Sequence, residues 1–203
     1  MHVGPAKTGT SAIQHALVTA EDGPFCYPKV GLWSDGSHHN LVFSVFPQDR
    51  RPEAKVLAFE DAMGQLRAEA TRSDKDVLVS SEALNGNTVS RFVDEVAGAL
   101  DNLIGEVVLV IVVREHLDRT ASVYNQRVKD WFYCEQSAPD DFLARHAPGL
   151  VYRPLAAALK ATGLQVVAVS YHGSGDLAAR FAMALGADPA GLPPPHAETS
   201  RSE

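Results

Sequence analysis

A glycine-rich segment near the start of the chain constrains the fold more than any other feature of the sequence. Gly4 and Gly9 are separated by four residues and enclose Lys7, and the apolar Val3 precedes them. An apolar spacing typical of a helix follows the second glycine. Three hydroxyl residues accompany the loop: Thr8, Thr10 and Ser11. A strand, a glycine loop and a helix in this order turn backbone N–H groups toward a bound anion, so the segment predicts an anion-binding loop.

The position of the lysine indicates which class of anion the loop binds. In loops of the order G-x-x-x-x-G-K-[ST], the lysine follows the second glycine and reaches the outer phosphates, and the next hydroxyl binds magnesium. Here Lys7 lies inside the loop, and Thr10 stands directly after Gly9. This order disfavours a nucleoside triphosphate with magnesium, and it predicts a site for which no metal is required.

A second motif lies about a hundred residues further on. The apolar, β-branched run 107–113 is typical of a central parallel strand that is buried on both faces. Arg114 ends this run, and Ser122 follows eight positions later on a predicted helix that starts near His116. An arginine at the end of a strand suits a phosphate, because its planar guanidinium offers paired donors and a permanent charge.

Together the two motifs resemble those of sulfotransferases that use 3′-phosphoadenosine 5′-phosphosulfate (PAPS). The segment GPAKTGTSAIQ resembles their 5′-phosphosulfate loop, and the arginine with its following serine resembles their 3′-phosphate motif. The resemblance implies that PAPS is the co-substrate and that Lys7 stabilises the bridging oxygen of the leaving group. It also implies a set of donor-binding residues: Lys7, Thr8, Gly9, Thr10, Ser11, Arg114 and Ser122.

Recognition of the adenine differs from the better-known members of that family. Their stacking tryptophan is replaced by Ala12, and Tyr171 resembles a family tyrosine that touches the base at the end of a strand. The aromatic run 131–133, with Trp131, Phe132 and Tyr133, offers alternative platforms. The family's late basic loop is not evident, and Arg201 would supply that contact only if the tail folds back.

Two sites compete for the role of general base. Glu82 directly follows an apolar run and resembles the glutamate that many carbohydrate sulfotransferases use, although a glutamate here also suits a helix start. His38 and His39 are the rivals, since histidine titrates near neutral pH. Adjacent helical residues point about 100° apart, so at most one of the two histidines is expected to face the site.

The order of elements predicts an α/β fold with three layers, a central parallel sheet between helices, of the P-loop nucleotide-binding type. Residues 1–190 are expected to form one domain, and the Pro-rich polar residues 191–203 a tail. Besides the strand before the loop, strands are predicted over 76–80, 106–113 and 164–170. Helices are predicted over 10–20, 39–46, 53–72, 88–103, 116–134, 154–161 and 176–185.

Composition limits the partners. A formal net charge of −7 disfavours a general affinity for nucleic acid or acidic membranes, and no run reaches transmembrane length. Cys26 and Cys134 lack metal-binding spacing, so reduced thiols and a cytoplasmic location are expected. The acceptor is expected to be a carbohydrate, a lipid or another small molecule, held by the segments 33–46 and 130–148.

The resemblance therefore implies a sulfotransferase that moves a sulfuryl group from PAPS to a hydroxyl or an amine. Two other classes stay open. One is a P-loop kinase or NTPase, which predicts a lysine after the second glycine and an acidic magnesium ligand at a strand end. The other is a degenerate, non-catalytic nucleotide-binding module, which fits the missing adenine tryptophan and late basic loop.

Overall fold

The computed structural model describes residues 1–49, 54–86, 88–100, 103 and 105–193, with the backbone alone for 147–149. Its centre is a sheet of four parallel strands in the order β2-β1-β3-β4. The strands are β1 (His2–Val3), β2 (Ser80–Ser81), β3 (Val108–Val113) and β4 (Gln165–Ser170). A single parallel bridge between Cys26 and Val77 lies outside these strands. The protein is therefore an α/β fold with a parallel sheet, as the sequence predicts.

Eight α-helices connect and flank the strands in the described part of the chain. They are α1 (Thr10–Thr19), α2 (His39–Val45), α3 (Phe59–Thr71), α4 (Val89–Ala99), α5 (His116–Lys129), α6 (Pro139–Leu150), α7 (Arg153–Ala161) and α8 (Leu177–Ala184). None of the helices in these described ranges is long and apolar enough to cross a membrane.

The alternation of side chains along β3 divides the core between the two faces of the sheet. Leu109 and Ile111 join a large apolar cluster with residues of α2, α3, α4 and α7. Val110 and Val112 join a second cluster with residues of α1 and α8. Each of these four side chains is at most 6% exposed, which explains why the strand is a continuous apolar run.

Three predicted helix ends are wrong. The helix predicted from 53 begins only at Phe59; residue 53 itself lies outside the described residues. The helix predicted to 103 ends at Ala99. The helix predicted to 134 ends at Lys129, because Asp130 accepts a hydrogen bond from the Phe132 backbone N–H and Cys134 has a positive φ of 46°.

The sequence prediction missed α6 entirely. Pro148 and Gly149 near its end disfavour a helix, whereas Pro139 at its first position is well suited to starting one. The helix packs against α5, where the rings of Tyr124 and Phe142 meet at a centroid distance of 5.1 Å. Tertiary packing of Phe142, which is 1% exposed, stabilises a helix that local propensity does not favour.

Only the first residues of the predicted tail are described. Residues 189–191 form a 3₁₀ turn, and Leu192 packs against the second core cluster. Residues 194–203, including Arg201, lie outside the described residues. The contact that Arg201 was suggested to make therefore stays a prediction.

Candidate functional site

The order of the strands brings the two sequence motifs together. β1 lies between β2 and β3, and the glycine loop (residues 4–9) leaves the carboxyl end of β1 to enter α1. Residues that follow β2 and β3 therefore flank the loop on its two sides. In open parallel sheets, this edge is where ligands bind.

Positive φ angles shape the loop. Gly4 has a φ of 133°, Gly9 a φ of 85°, and Lys7, which is not a glycine, a φ of 68°. A Cβ atom on Gly9 would lie 2.3 Å from Leu177 Cδ2 and 3.0 Å from Tyr171 Cε2. Glycine is thus required at position 9 both by its backbone angle and by the close approach of α8 and the β4 loop.

The first turn of α1 is open to a ligand. Gly9 is its N-cap and has no side chain with which to cap the first amides. The Thr8 hydroxyl is buried and donates to the Pro5 carbonyl at 2.9 Å, so it stabilises the loop from within. Thr10 is also buried, whereas Ser11 is exposed on the first turn. Of the three predicted hydroxyl contacts, only that of Ser11 comes from an exposed side chain.

Two arginines hold the loop by its carbonyl groups. Arg114, directly after β3, donates from Nη1 to the Lys7 carbonyl at 3.1 Å. Arg119 on α5 donates from Nε to the Ala6 carbonyl at 3.1 Å and from Nη1 to the Leu150 carbonyl at 2.6 Å. Fixing these carbonyls fixes the peptide planes of the loop, and with them the direction of its N–H groups. The sequence analysis did not identify this role of Arg119, because both of its partners lie far away in the sequence.

Arg114 is the centre of a polar cluster on the β3 side of the loop. Its guanidinium stacks over the ring of Tyr171, 4.4 Å from the ring centroid. Its Nε and Nη2 donate to the two carboxylate oxygens of Asp118 at 2.7 and 3.0 Å. His172 Nε2 lies 3.0 Å from Asp118 Oδ2. Tyr171 thus lies close to both the loop, at Gly9, and the arginine. Its contact with an adenine stays a prediction.

Of the remaining residues predicted to bind the donor, Ser122 lies on the helix that follows Arg114, whereas the aromatic run 131–133 lies beyond the other end of that helix. Ser122 lies on α5 four residues after Asp118, on the same helix face and half-buried. The aromatic run 131–133 follows the far end of this 14-residue helix, about 20 Å from Arg114 at 1.5 Å per residue. Its three rings are exposed. They are therefore too far from the loop to stack on a base held there.

Glu82 flanks the loop on the β2 side. It follows Ser81 directly and is half-buried beside Thr10. Burial raises the pKa of Glu82, and the Thr10 hydroxyl and the charges of Lys7 and Arg119 partly offset that shift. A carboxylate with a raised pKa next to the loop is suited to accept a proton.

The two histidines have different surroundings. His38 is fully buried; its Nε2 donates to the Pro28 carbonyl at 2.9 Å, and its Nδ1 accepts from the Ser80 amide at 3.1 Å. Burial lowers the pKa of His38 to about 4, so it acts as a structural group and is unsuited as a base. His39 is 8% exposed and contacts Ser81 Oγ through Nδ1 at 2.7 Å. It therefore stays in reach of the same strand end as Glu82.

A cleft of about 370 Å³ opens beside the loop, between the segment that follows β2 and residues of α5 and the start of α7. Its lining includes Gly4, Pro5, Glu82, Arg119 and Tyr152. A larger cavity of about 530 Å³ lies between α7 and the face of β3 and β4, but it is lined almost entirely by apolar residues away from the loop. We therefore regard the smaller cleft, which is lined by both polar and apolar groups, as the candidate substrate site.

Comparison with known proteins returns no match: no family model, no curated protein and no solved structure resembles the chain. Any function must therefore be argued from the arrangement of these residues.

Proposed function

We propose that the protein is a PAPS-dependent sulfotransferase with a fold of the P-loop nucleotide-binding type. One observation carries the proposal: a glycine loop with an internal lysine meets the arginine that ends the neighbouring strand, and Arg114 bonds the carbonyl of Lys7 itself. The two sequence motifs, 107 residues apart, thus form one site. A donor with an anion at each end of its ribose requires two such anion sites side by side.

The loop and the arginine suit the two ends of this donor. The uncapped first turn of α1 and the positive end of its dipole favour the 5′-phosphosulfate. Arg114, with Ser122 one turn beyond Asp118, is assigned to the 3′-phosphate. Tyr171, which packs close to Gly9 and under the Arg114 guanidinium, is assigned to the nucleoside between the two anion sites.

The chemistry asks for positioning and charge stabilisation. The bond between sulfur and the bridging oxygen of the 5′-phosphosulfate breaks as a bond from the acceptor oxygen or nitrogen to sulfur forms. Lys7 neutralises the charge that develops on the bridging oxygen. Glu82 accepts the proton that the acceptor loses. No step in this scheme requires a metal.

The free charge on Lys7 supports its part in the scheme. Within the described ranges, its ammonium forms no hydrogen bond or ion pair, and its charge is felt by Glu82 as a lowering of the pKa. An ammonium that forms no direct ion pair is available to a substrate anion. The acceptor would enter through the 370 Å³ cleft that Glu82 lines, whose size suits one sugar, lipid hydroxyl or phenol at a time.

The test is transfer of labelled sulfur from PAPS in buffer with EDTA, across a panel of sugars, lipid alcohols, phenols and amines. Stoichiometric formation of adenosine 3′,5′-bisphosphate and a sulfated acceptor is expected, and Lys7→Ala is expected to slow the formation of both about 100-fold or more. Phosphoryl transfer from ATP with magnesium, without any sulfuryl transfer, would contradict the proposal and favour a kinase. Binding of adenosine 3′,5′-bisphosphate without any turnover would favour a non-catalytic module.

A further inference from the structure

The carboxylate of Asp118 lies on the arginine that is assigned to the 3′-phosphate. It accepts hydrogen bonds from Arg114 Nε at 2.7 Å and from Nη2 at 3.0 Å. This paired contact is the geometry that a phosphate also takes on a guanidinium. A third donor, Nη1, is turned to the Lys7 carbonyl. A phosphate that approaches Arg114 along its Nε/Nη2 edge therefore competes with Asp118 for these N–H groups.

Charge adds to this competition. Arg114 holds the pKa of the Asp118 carboxyl below its usual range, and His172 acts in the same direction, so Asp118 is ionised at neutral pH. A phosphate on Arg114 would lie within a few ångströms of this negative charge, at a place where the arginine side chain is only 15% exposed. The Asp118 carboxylate itself is 40% exposed, so water screens the repulsion in part but does not remove it at so short a distance.

We propose that Asp118 is a specificity-determining residue that lowers the affinity of the site for nucleotides with a 3′-phosphate. The inference rests on the proposed function, because it takes Arg114 as the 3′-phosphate site. Its consequence is weaker retention of the spent donor, adenosine 3′,5′-bisphosphate, which carries the same 3′-phosphate. A serine or other neutral residue at this place would let the product bind more tightly.

His172 gives Asp118 a second partner. Its Nε2 lies 3.0 Å from the same Oδ2 that Arg114 contacts. When Arg114 turns to a phosphate, Asp118 keeps this contact and the hydrogen bonds of its exposed face to water. The exchange therefore leaves the carboxylate with hydrogen-bond partners, which keeps its free-energy cost low.

The test compares wild type with Asp118→Asn by titration calorimetry. Adenosine 3′,5′-bisphosphate is expected to bind the variant about tenfold more tightly, since a half-exposed ion pair and a nearby like charge are removed. Adenosine 5′-phosphate, which has no 3′-phosphate, is expected to bind both proteins equally. Glu95→Gln is the matched control, because it removes the same charge and breaks another i,i+4 pair, with Arg91 at 3.6 Å.

Three outcomes decide the inference. Tighter binding of the bisphosphate alone by Asp118→Asn supports it. Equal or weaker binding by that variant, with wild-type binding intact, overturns it while the proposed function stands, and shows instead that Asp118 supports Arg114. If neither protein binds the bisphosphate, the inference falls together with the proposed function.

Discussion

Replacement of Arg119 by methionine tests how the loop is held. Arg119 is 7% exposed, and its guanidinium donates to the carbonyls of Ala6 and Leu150 at 3.1 and 2.6 Å. Hydrogen bonds to a charged group contribute about 1.5–3 kcal/mol each. Methionine retains the apolar stem but leaves two carbonyl groups without their donor. We therefore expect the free energy of unfolding to fall by about 3–6 kcal/mol.

Urea denaturation at pH 7 measures this loss. The midpoint should fall at an unchanged slope, and a loss of 3 kcal/mol should lower the melting temperature by roughly 6–12 °C in a chain of this size. Arg119→Lys provides a milder variant, because one ammonium group retains a charge but cannot reach both carbonyls with a planar fork. It should fall between wild type and Arg119→Met.

Arg91→Met is the matched control. Arg91 is largely exposed, forms a surface pair with Glu95 at 3.6 Å and lies over the ring of Phe46. Such pairs contribute about 0–1 kcal/mol, so this variant should stay close to wild type. If Arg119→Met lost less than about 1 kcal/mol, or no more than Arg91→Met, the two arginine contacts would not hold the loop.

Three further predictions concern the site itself. Lys7→Ala should lower kcat for sulfuryl transfer about 100-fold or more, with a smaller change in donor binding, because the charge of Lys7 acts mainly in the transition state. Steady-state kinetics with PAPS would measure both effects, and an unchanged kcat would exclude this role of Lys7. Glu82→Gln should lower kcat about 100-fold and remove the acidic limb of the pH profile, where the wild-type rate falls as the pH drops through the pKa of Glu82. Because burial raises this pKa, the limb lies above the usual range of glutamate. A retained rate would move the base to His39. The His38 ring should stay neutral in NMR titrations from pH 8 to about pH 5, because burial lowers its pKa to about 4. Since the pKa is higher in the unfolded chain, the stability that His38 contributes is fully present above about pH 6.5 and is lost as the pH falls toward about 4. A protonation step near pH 6.5 would contradict its burial.

The sequence predicts the parts of this protein that depend on local patterns. The apolar run 107–113 identifies β3, because a strand buried on both faces has no polar alternation. The glycine spacing identifies the loop, because the backbone at Gly4 and Gly9 has positive φ angles that glycine adopts without strain. Both motifs were also expected at the carboxyl ends of parallel strands, and the sheet order makes those ends adjacent.

Long-range contacts escaped sequence reasoning. The hydrogen bond from Arg119 to the Ala6 carbonyl joins residues 113 positions apart, and no periodic pattern in the sequence predicts it. The burial of His38 depends on the carbonyl of Pro28 and the amide of Ser80, which only the folded backbone brings together. α6 forms because Phe142 packs on α5, against the local preference of Pro148 and Gly149.

The ion pair of Asp118 with Arg114 follows from a simple spacing in the sequence. Asp118 stands four positions after Arg114, a spacing that brings opposite charges together on a helix. Because α5 begins at His116, just after the arginine, the pair forms at the helix start. The spacing alone therefore predicts that a carboxylate faces the arginine of the phosphate motif.

The most direct test of the account is titration calorimetry of the wild-type chain with adenosine 3′,5′-bisphosphate in EDTA, with ATP plus magnesium for comparison. We expect about micromolar binding of the bisphosphate without metal, and at least about tenfold weaker binding to Arg114→Ala, with adenosine 5′-phosphate affected little. Binding of ATP with magnesium and no binding of the bisphosphate would contradict it.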